Sequence, residues 1–225
     1  MPCPSLPPAL VMRTSVRFEA ATGAEAPTTN VVGDARLRLF VAIELSDAWR
    51  RSLNNIAAGL RASSGDAYRW VRPDLLHLTL VFLGWQPAGA LTKIEEAIDA
   101  AAGGRPAFSL VQGQVGGFGG RRVRVIWVAA NDPAGALQPL RAALERELDA
   151  REIGYDRKPL VGHITLARAR ETAASRPATP FGPQAGGRRR APPLTVRDIV
   201  LMRSELGRGG PRYTVLARAS LGERC

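Results

Sequence analysis

Two stretches decide how this chain is read: LLHLTLVFLG at 75–84 and VGHITLARAR at 161–170. They hold the only two histidines of the sequence. Each histidine begins the same pattern, His77-Leu78-Thr79-Leu80 and His163-Ile164-Thr165-Leu166. With 11 Thr and 25 Leu among 225 residues, composition puts Thr and Leu at those two offsets about 0.5 per cent of the time. For both histidines together the figure is on the order of a few in 100,000. Both stretches read as strands by their apolar, β-forming content. In a strand, residues i and i+2 share a face. Each imidazole therefore projects beside its threonine hydroxyl, while Leu78, Leu80, Ile164 and Leu166 point the other way.

Working outward, each motif sits at a matching place in its half of the chain. Upstream of the first, RLRLFVAIEL (36–45) reads as a strand, and a helix with Leu53, Ile56, Ala57 and Leu60 on one face runs to about residue 62. SSGDAYRWVRPD (63–74) reads as a loop by its Ser, Gly, Asp and Pro. Residues 87–102 suit a helix ended by Gly103-Gly104. The second half repeats the scheme: strands at 108–119 and 122–130, a helix opened by Asp132-Pro133 and running to about Glu152, then the strand at 161–170. Residues 171–193 read as a loop, and 194–206 with 212–221 as a closing hairpin. The order predicts an α+β fold with two similar, pseudo-symmetric halves. The Gly-Gly-Phe-Gly-Gly run at 116–120 reads as a hairpin turn, since it precedes no helix and lacks a Walker lysine.

Residues 1–35 are rich in Pro, Ala and Thr, without an amphipathic period, and read as a flexible extension before a domain at 36–225. Their start lacks a basic segment and a sustained apolar run, which argues against a signal peptide. No stretch of about 18 apolar residues predicts a membrane span. Cys3 and Cys225 are the only cysteines, which excludes a disulfide scaffold and fits a reducing cytoplasm. Hydrophobic residues at 45% and charged residues at 23% exclude a disordered chain. The net charge is +11. The extension has Arg13 and Arg17 against Glu19, Glu25 and Asp34, a net of −1, so the basic character belongs to the domain and favours an anionic partner.

Two His-Thr pairs facing a shared cleft suit phosphoryl transfer to water. One imidazole takes a proton from the attacking water and the other, protonated, donates to the leaving oxygen. The threonine hydroxyls donate to the non-bridging oxygens. No carboxylate or histidine cluster around either motif supplies a metal cage. A single histidine on a strand is ordinarily a satisfied core residue, and a threonine there an ordinary strand former. The duplication is what carries the chemistry. A protein that only binds RNA or a nucleotide is the competing class, but it has no need of two titrating imidazoles.

These residues resemble the two-histidine (2H) phosphoesterase superfamily, whose signature is a repeated His-x-Thr-x. They are most similar to the RNA 2′,3′-cyclic phosphodiesterase (2′-5′ RNA ligase) family. The resemblance spans about residues 36–221 and includes RLFVAIEL, WVRPDLLHLTLVFLG, the Gly-Phe-Gly turn, GHITLARAR and SELGRGGPRYTVL. It implies a bilobal fold, with antiparallel sheets of two lobes and outer helices around a central cleft. It implies metal-free, cofactor-free hydrolysis of RNA 2′,3′-cyclic phosphate ends to 2′-phosphomonoesters by a cytoplasmic monomer acting on RNA 3′ ends or cyclic nucleotides. It makes His77 the proton donor and His163 the proton acceptor, with Thr79 and Thr165 holding the phosphate. Ligation through a 2′-5′ link, or hydrolysis of a small cyclic nucleotide, would use the same site.

Arg168, five residues after His163, matches the family's HxTLAR pattern and is a candidate phosphate ligand. Strict alternation turns it away from His163, so that role requires a bulge. Trp70 and Tyr213 are candidates for base stacking, against ordinary packing. The Arg188–Arg190 run could steer RNA, against a plain solvated loop.

Overall fold

The computed structural model describes residues 35–119, 123–170, 190–207 and 210–222. The extension before Ala35, Arg188 and Arg189 with most of their loop, and the tips of the two Gly-rich turns lie outside the described residues. The strands and α-helices are β1 (Arg36–Glu44), α1 (Asp47–Ser64), β2 (Tyr68–Trp70), β3 (His77–Pro87), α2 (Leu91–Ala102), β4 (Phe108–Phe118), β5 (Val125–Asn131), α3 (Leu137–Ala150), β6 (His163–Ala169), β7 (Leu194–Val196), β8 (Asp198–Gly207) and β9 (Gly210–Ser220). The sheet order is β7-β4-β5-β6-β3-β1-β8-β9, with β2 added on β6. The ladders are antiparallel. No helix among the described residues is long and apolar enough to cross a membrane.

The α+β, two-lobed plan expected from the sequence is present, but the lobes are not the two halves of the chain. β4 pairs with β5 and β7 inside the second half, whereas β8 leaves that half to pair with β1. The helices cross over as well. In α1, Trp49, Leu53, Ile56 and Ala57 form a buried stripe. Its Ser52 donates to Gln112 on β4 at 2.8 Å, and the Trp49 indole N–H donates to the Pro192 carbonyl at 2.8 Å.

Three local expectations are corrected. The stretch 63–74 is not wholly a loop: Tyr68–Trp70 pairs with Ala169–Ala167 as β2. Three residues are too few to show a period, and this strand exists because β6 offers an edge. The stretch 194–206 is two strands, broken at Arg197, because β7 pairs with β4 and β8 with β1. The third helix starts at Leu137 rather than Asp132. Asp132 caps it from outside: its carboxylate accepts the Leu137 N–H at 2.7 Å across a turn in which Gly135 has φ 66°.

The two half-sheets join where Leu78 pairs with Ile164. Antiparallel order around that pair sets His77 toward Thr165 and Thr79 toward His163. Just beyond, both strands bulge at the same motif position. Against β1, Val41 pairs with Val81 but Ala42 with Thr79, so Leu80 is extra. Against β5, Ile126 pairs with Ala167 but Trp127 with Thr165, so Leu166 is extra. Leu80 and Val81 both enter the main core, as do Leu166 and Ala167. Alternation then resumes one residue late.

A bulge leaves backbone groups outside the ladder. The Leu166 carbonyl accepts the Val71 N–H at 2.8 Å. The Leu80 carbonyl accepts from Arg141, a buried arginine of α3 that also donates to the Asp156 carbonyl at 2.8 Å and pairs with Glu145. Arg141→Met removes these donors and leaves the buried Leu80 carbonyl unpaired. We expect a loss of about 2–3 kcal/mol in urea unfolding, with Arg141→Lys recovering only part of it. A loss within measurement error would show that the bulge does not need this donor.

Candidate active site

Both histidines are anchored in the same way. The His77 Nδ1–H donates to the Leu75 carbonyl at 2.8 Å, and the His163 Nδ1–H to the Val161 carbonyl at 2.7 Å. A carbonyl can only accept, so Nδ1 carries a proton in each and Nε2 is the atom left for exchange. His77 Nε2 accepts from the Thr79 hydroxyl at 3.1 Å when the ring is neutral. His77, Thr79, His163 and Thr165 are all half-buried.

Each imidazole packs against two aromatic rings that also touch each other. Phe40 of β1 is 4.9 Å from His77, and Tyr213 of β9 meets it edge-on at 5.3 Å. Phe118 of β4 meets His163 edge-on at 5.0 Å, and Trp127 of β5 lies 6.1 Å away. Phe118 also lies over Trp127, with ring centres 5.1 Å apart. A Cβ on Gly116 would run into the Trp127 indole ring. The glycines before Phe118 therefore continue β4 beneath a tryptophan, where the sequence read a turn already under way.

The bulge that Arg168 required is present. His163 and Thr165 are half-buried, Leu166 and Ala167 are both buried, and Arg168 is exposed on the histidine face. Its positive charge acts on His77, His163 and Tyr213. The bulge in β3 does the same for Phe82, the residue five after His77: it is 40% exposed and 5.8 Å from Phe40. Tyr213 is a wall of the cleft. Trp70 packs against Tyr68 and beneath the Arg61 guanidinium. Phe40, Phe82, Phe118 and Trp127 were not singled out in the sequence, although the alternation of β1 and β5 could have aligned Phe40 and Trp127 with the motifs.

Burial is the largest influence on both imidazoles and holds them below the ordinary histidine value of about 6.5. The Nδ1–H bonds to carbonyls pull the other way. Arg168 pushes both down further, and His163 adds to this at His77. The two histidines thus sense each other and one guanidinium. Among the described residues no group of three His, Cys, Asp or Glu side chains comes together as a metal site.

A family profile described as LigT like Phosphoesterase matches residues 43–127 and 128–213. The chain belongs to the LigT-like phosphoesterase family. Each match in this LigT-like chain contains one His-x-Thr pair. A Thermus thermophilus protein named RNA 2′,3′-cyclic phosphodiesterase is 33% identical over 198 residues, 82% of this chain and 90% of that protein. One of the same name from Geobacillus stearothermophilus is 31% identical over 188 residues, 81% of this chain; the match spans 56% of that longer relative. A Thermus thermophilus crystal structure superposes with TM-score 0.66 at 29% identity, covering 82% of this chain and 98% of that one. Escherichia coli LigT complexed with 3′-AMP superposes with TM-score 0.60 at 28% identity, covering 84% and 99%.

The LigT-like arrangement makes the electrostatics measurable, since only two imidazoles titrate. Proton NMR should show two histidine Cε1–H signals with midpoints below 6.5. Arg168→Ala removes a positive charge from beside both, so both midpoints should rise. A rise at neither would place Arg168 outside the cleft.

Proposed function

We propose that this chain hydrolyses RNA 2′,3′-cyclic phosphate ends to 2′-phosphomonoesters, with His163 as base and His77 as acid. The observation that carries this reading is the matched anchoring of two imidazoles, each with Nδ1 tied to a carbonyl two residues back and Nε2 left for proton exchange. Family membership and the names of the relatives support the substrate class, and the 3′-AMP complex of the Escherichia coli protein supports a nucleotide in the cleft. The division of roles is what the resemblance to the two-histidine family implies for the first and second copies of the motif.

His163 Nε2 takes a proton from water as its oxygen bonds to phosphorus. The bond from phosphorus to O3′ breaks, and His77 Nε2–H gives its proton to that oxygen. The phosphate remains on O2′. The hydroxyls of Thr79 and Thr165 and the Arg168 guanidinium offset charge on the non-bridging oxygens. No step draws on a cofactor or metal. The same reading has the protein act as a monomer in the cytoplasm.

Turnover needs one imidazole neutral and the other protonated, and burial lowers both pKa values in the free protein. The kcat/KM profile should therefore be bell-shaped with its maximum below pH 6.5. At higher pH the protonated acid is lost, so the rate falls.

The test is an oligoribonucleotide ending in a 2′,3′-cyclic phosphate, incubated in EDTA. Wild type should yield the 2′-phosphate, and His77→Ala and His163→Ala should each lose about 10²–10⁴-fold in kcat. Full activity in both variants, a 3′-phosphate product, or metal-dependent rescue after EDTA would overturn the reading.

A further inference from the structure

The concave face holds a second feature that the two-histidine chemistry does not use. A cavity of about 310 Å³ opens beside His77 and shares His77 and Tyr213 with the cleft. Three arginines line it, Arg50, Arg72 and Arg212, together with two carboxylates, Glu44 and Asp74. Both carboxylates are already occupied. Asp74 takes a two-pronged pair from Arg72, and Glu44 is held by Arg218 from β9. Arg50 and Arg212 have no carboxylate within ion-pair distance among the described residues. The Arg50 Nε–H is buried and has no hydrogen-bond partner. A buried guanidinium donor left unpaired is costly, and an anionic acceptor entering the cavity would relieve it. Arg50 lies near enough to Asp74 to lower its pKa, but its buried Nε–H lacks an acceptor and the exposed Arg212 has no ion pair among the described residues, and such donors suit a phosphate.

We infer that this cavity receives the phosphate on the 5′ side of the terminal nucleoside, one backbone unit from the reacting cyclic phosphate. This rests on the roles proposed above and deepens them. If His77 protonates O3′, the ribose lies on the His77 side of phosphorus, and the opposite side is left to water and His163. That ribose also bears the 5′ carbon, and its substituent extends past His77 into the arginine-lined cavity. The preferred substrate is then a 5′-phosphorylated end, and a bare nucleoside cyclic phosphate is a poor one.

Three substrates separate the cases: uridine 2′,3′-cyclic phosphate, its 5′-phosphorylated form, and a dinucleotide ending in the cyclic phosphate. Wild type should prefer both of the latter over the first by at least about tenfold in kcat/KM. Preference for the dinucleotide alone would assign the cavity to an internucleotide diester, and for both to any 5′-phosphate. In Arg212→Gln and Arg50→Gln the preference ratio should fall toward one, with Arg212→Lys restoring part of it. Arg212 is exposed, so its variant tests the ratio without a folding defect. An unchanged ratio, or equal losses on all three substrates, would overturn the inference. Should no cyclic phosphate be hydrolysed, binding of uridine 3′,5′-bisphosphate against uridine 3′-phosphate by calorimetry tests the cavity separately. Tighter, arginine-dependent binding of the bisphosphate would sustain the cavity while the hydrolytic reading fails. Equal binding would remove both.

Discussion

An unbroken β-strand offers one face only every second residue, and this constraint governs the whole site. His77, Thr79, His163 and Thr165 obey it. A third group from the same strand, at an odd offset from its histidine, can join them only if the strand gains a residue. Both strands do so at the same motif position, at Leu80 and Leu166. The extra residues enter the core rather than the cleft, so the change of phase is held by apolar burial on the opposite face. In one copy it delivers Arg168 and in the other Phe82. The same backbone device thus yields a charged group that acts on both histidines in one copy and an apolar ring against Phe40 in the other.

The resulting cleft is electrically unbalanced. Two imidazoles whose protonated form burial disfavours stand near a guanidinium, and a cavity lined by Arg50 and Arg212 adjoins His77. An anion is the group that this environment stabilises. A phosphate diester entering it offsets Arg168 and thereby favours a proton on a neighbouring imidazole. The substrate would then help to create the acid that cleaves it. The net charge of +11 supplies a longer-range field of the same sign.

How much of this was legible depended on whether the information was local. The doubled motif located both histidines and both threonines, because strand alternation alone puts them together. The order of long elements was legible for the same reason, since Leu53, Ile56, Ala57 and Leu60 declare a helix within one stretch of chain. What was not legible depended on pairing. The strand at Tyr68–Trp70 exists only because β6 has a free edge, and the break at Arg197 only because β4 and β1 lie apart. Arg168 shows the boundary well. Its offset from His163 was visible and the need for a bulge could be stated, but the bulge itself is a register between β6 and β5. Arg141 gave no sign at all, since its partner is a carbonyl 61 residues away.

The exchange of strands between the two halves gives the duplication a further consequence. Tyr213, beside His77, lies in the second matched segment, while Phe118, beside His163, lies in the first. Each copy of the motif thus brings a histidine and a threonine, but His77 takes Tyr213 from the second segment and His163 takes both Phe118 and Trp127 from the first. Arg141 extends the pattern, because a helix of the second segment satisfies the bulge of the first. A single copy would therefore lose ring cover from its imidazole and leave its bulge carbonyl without a donor. The two halves are similar in sequence pattern, yet neither is a smaller version of the site. The two histidines are coupled through the covalent connectivity of the fold as well as through charge.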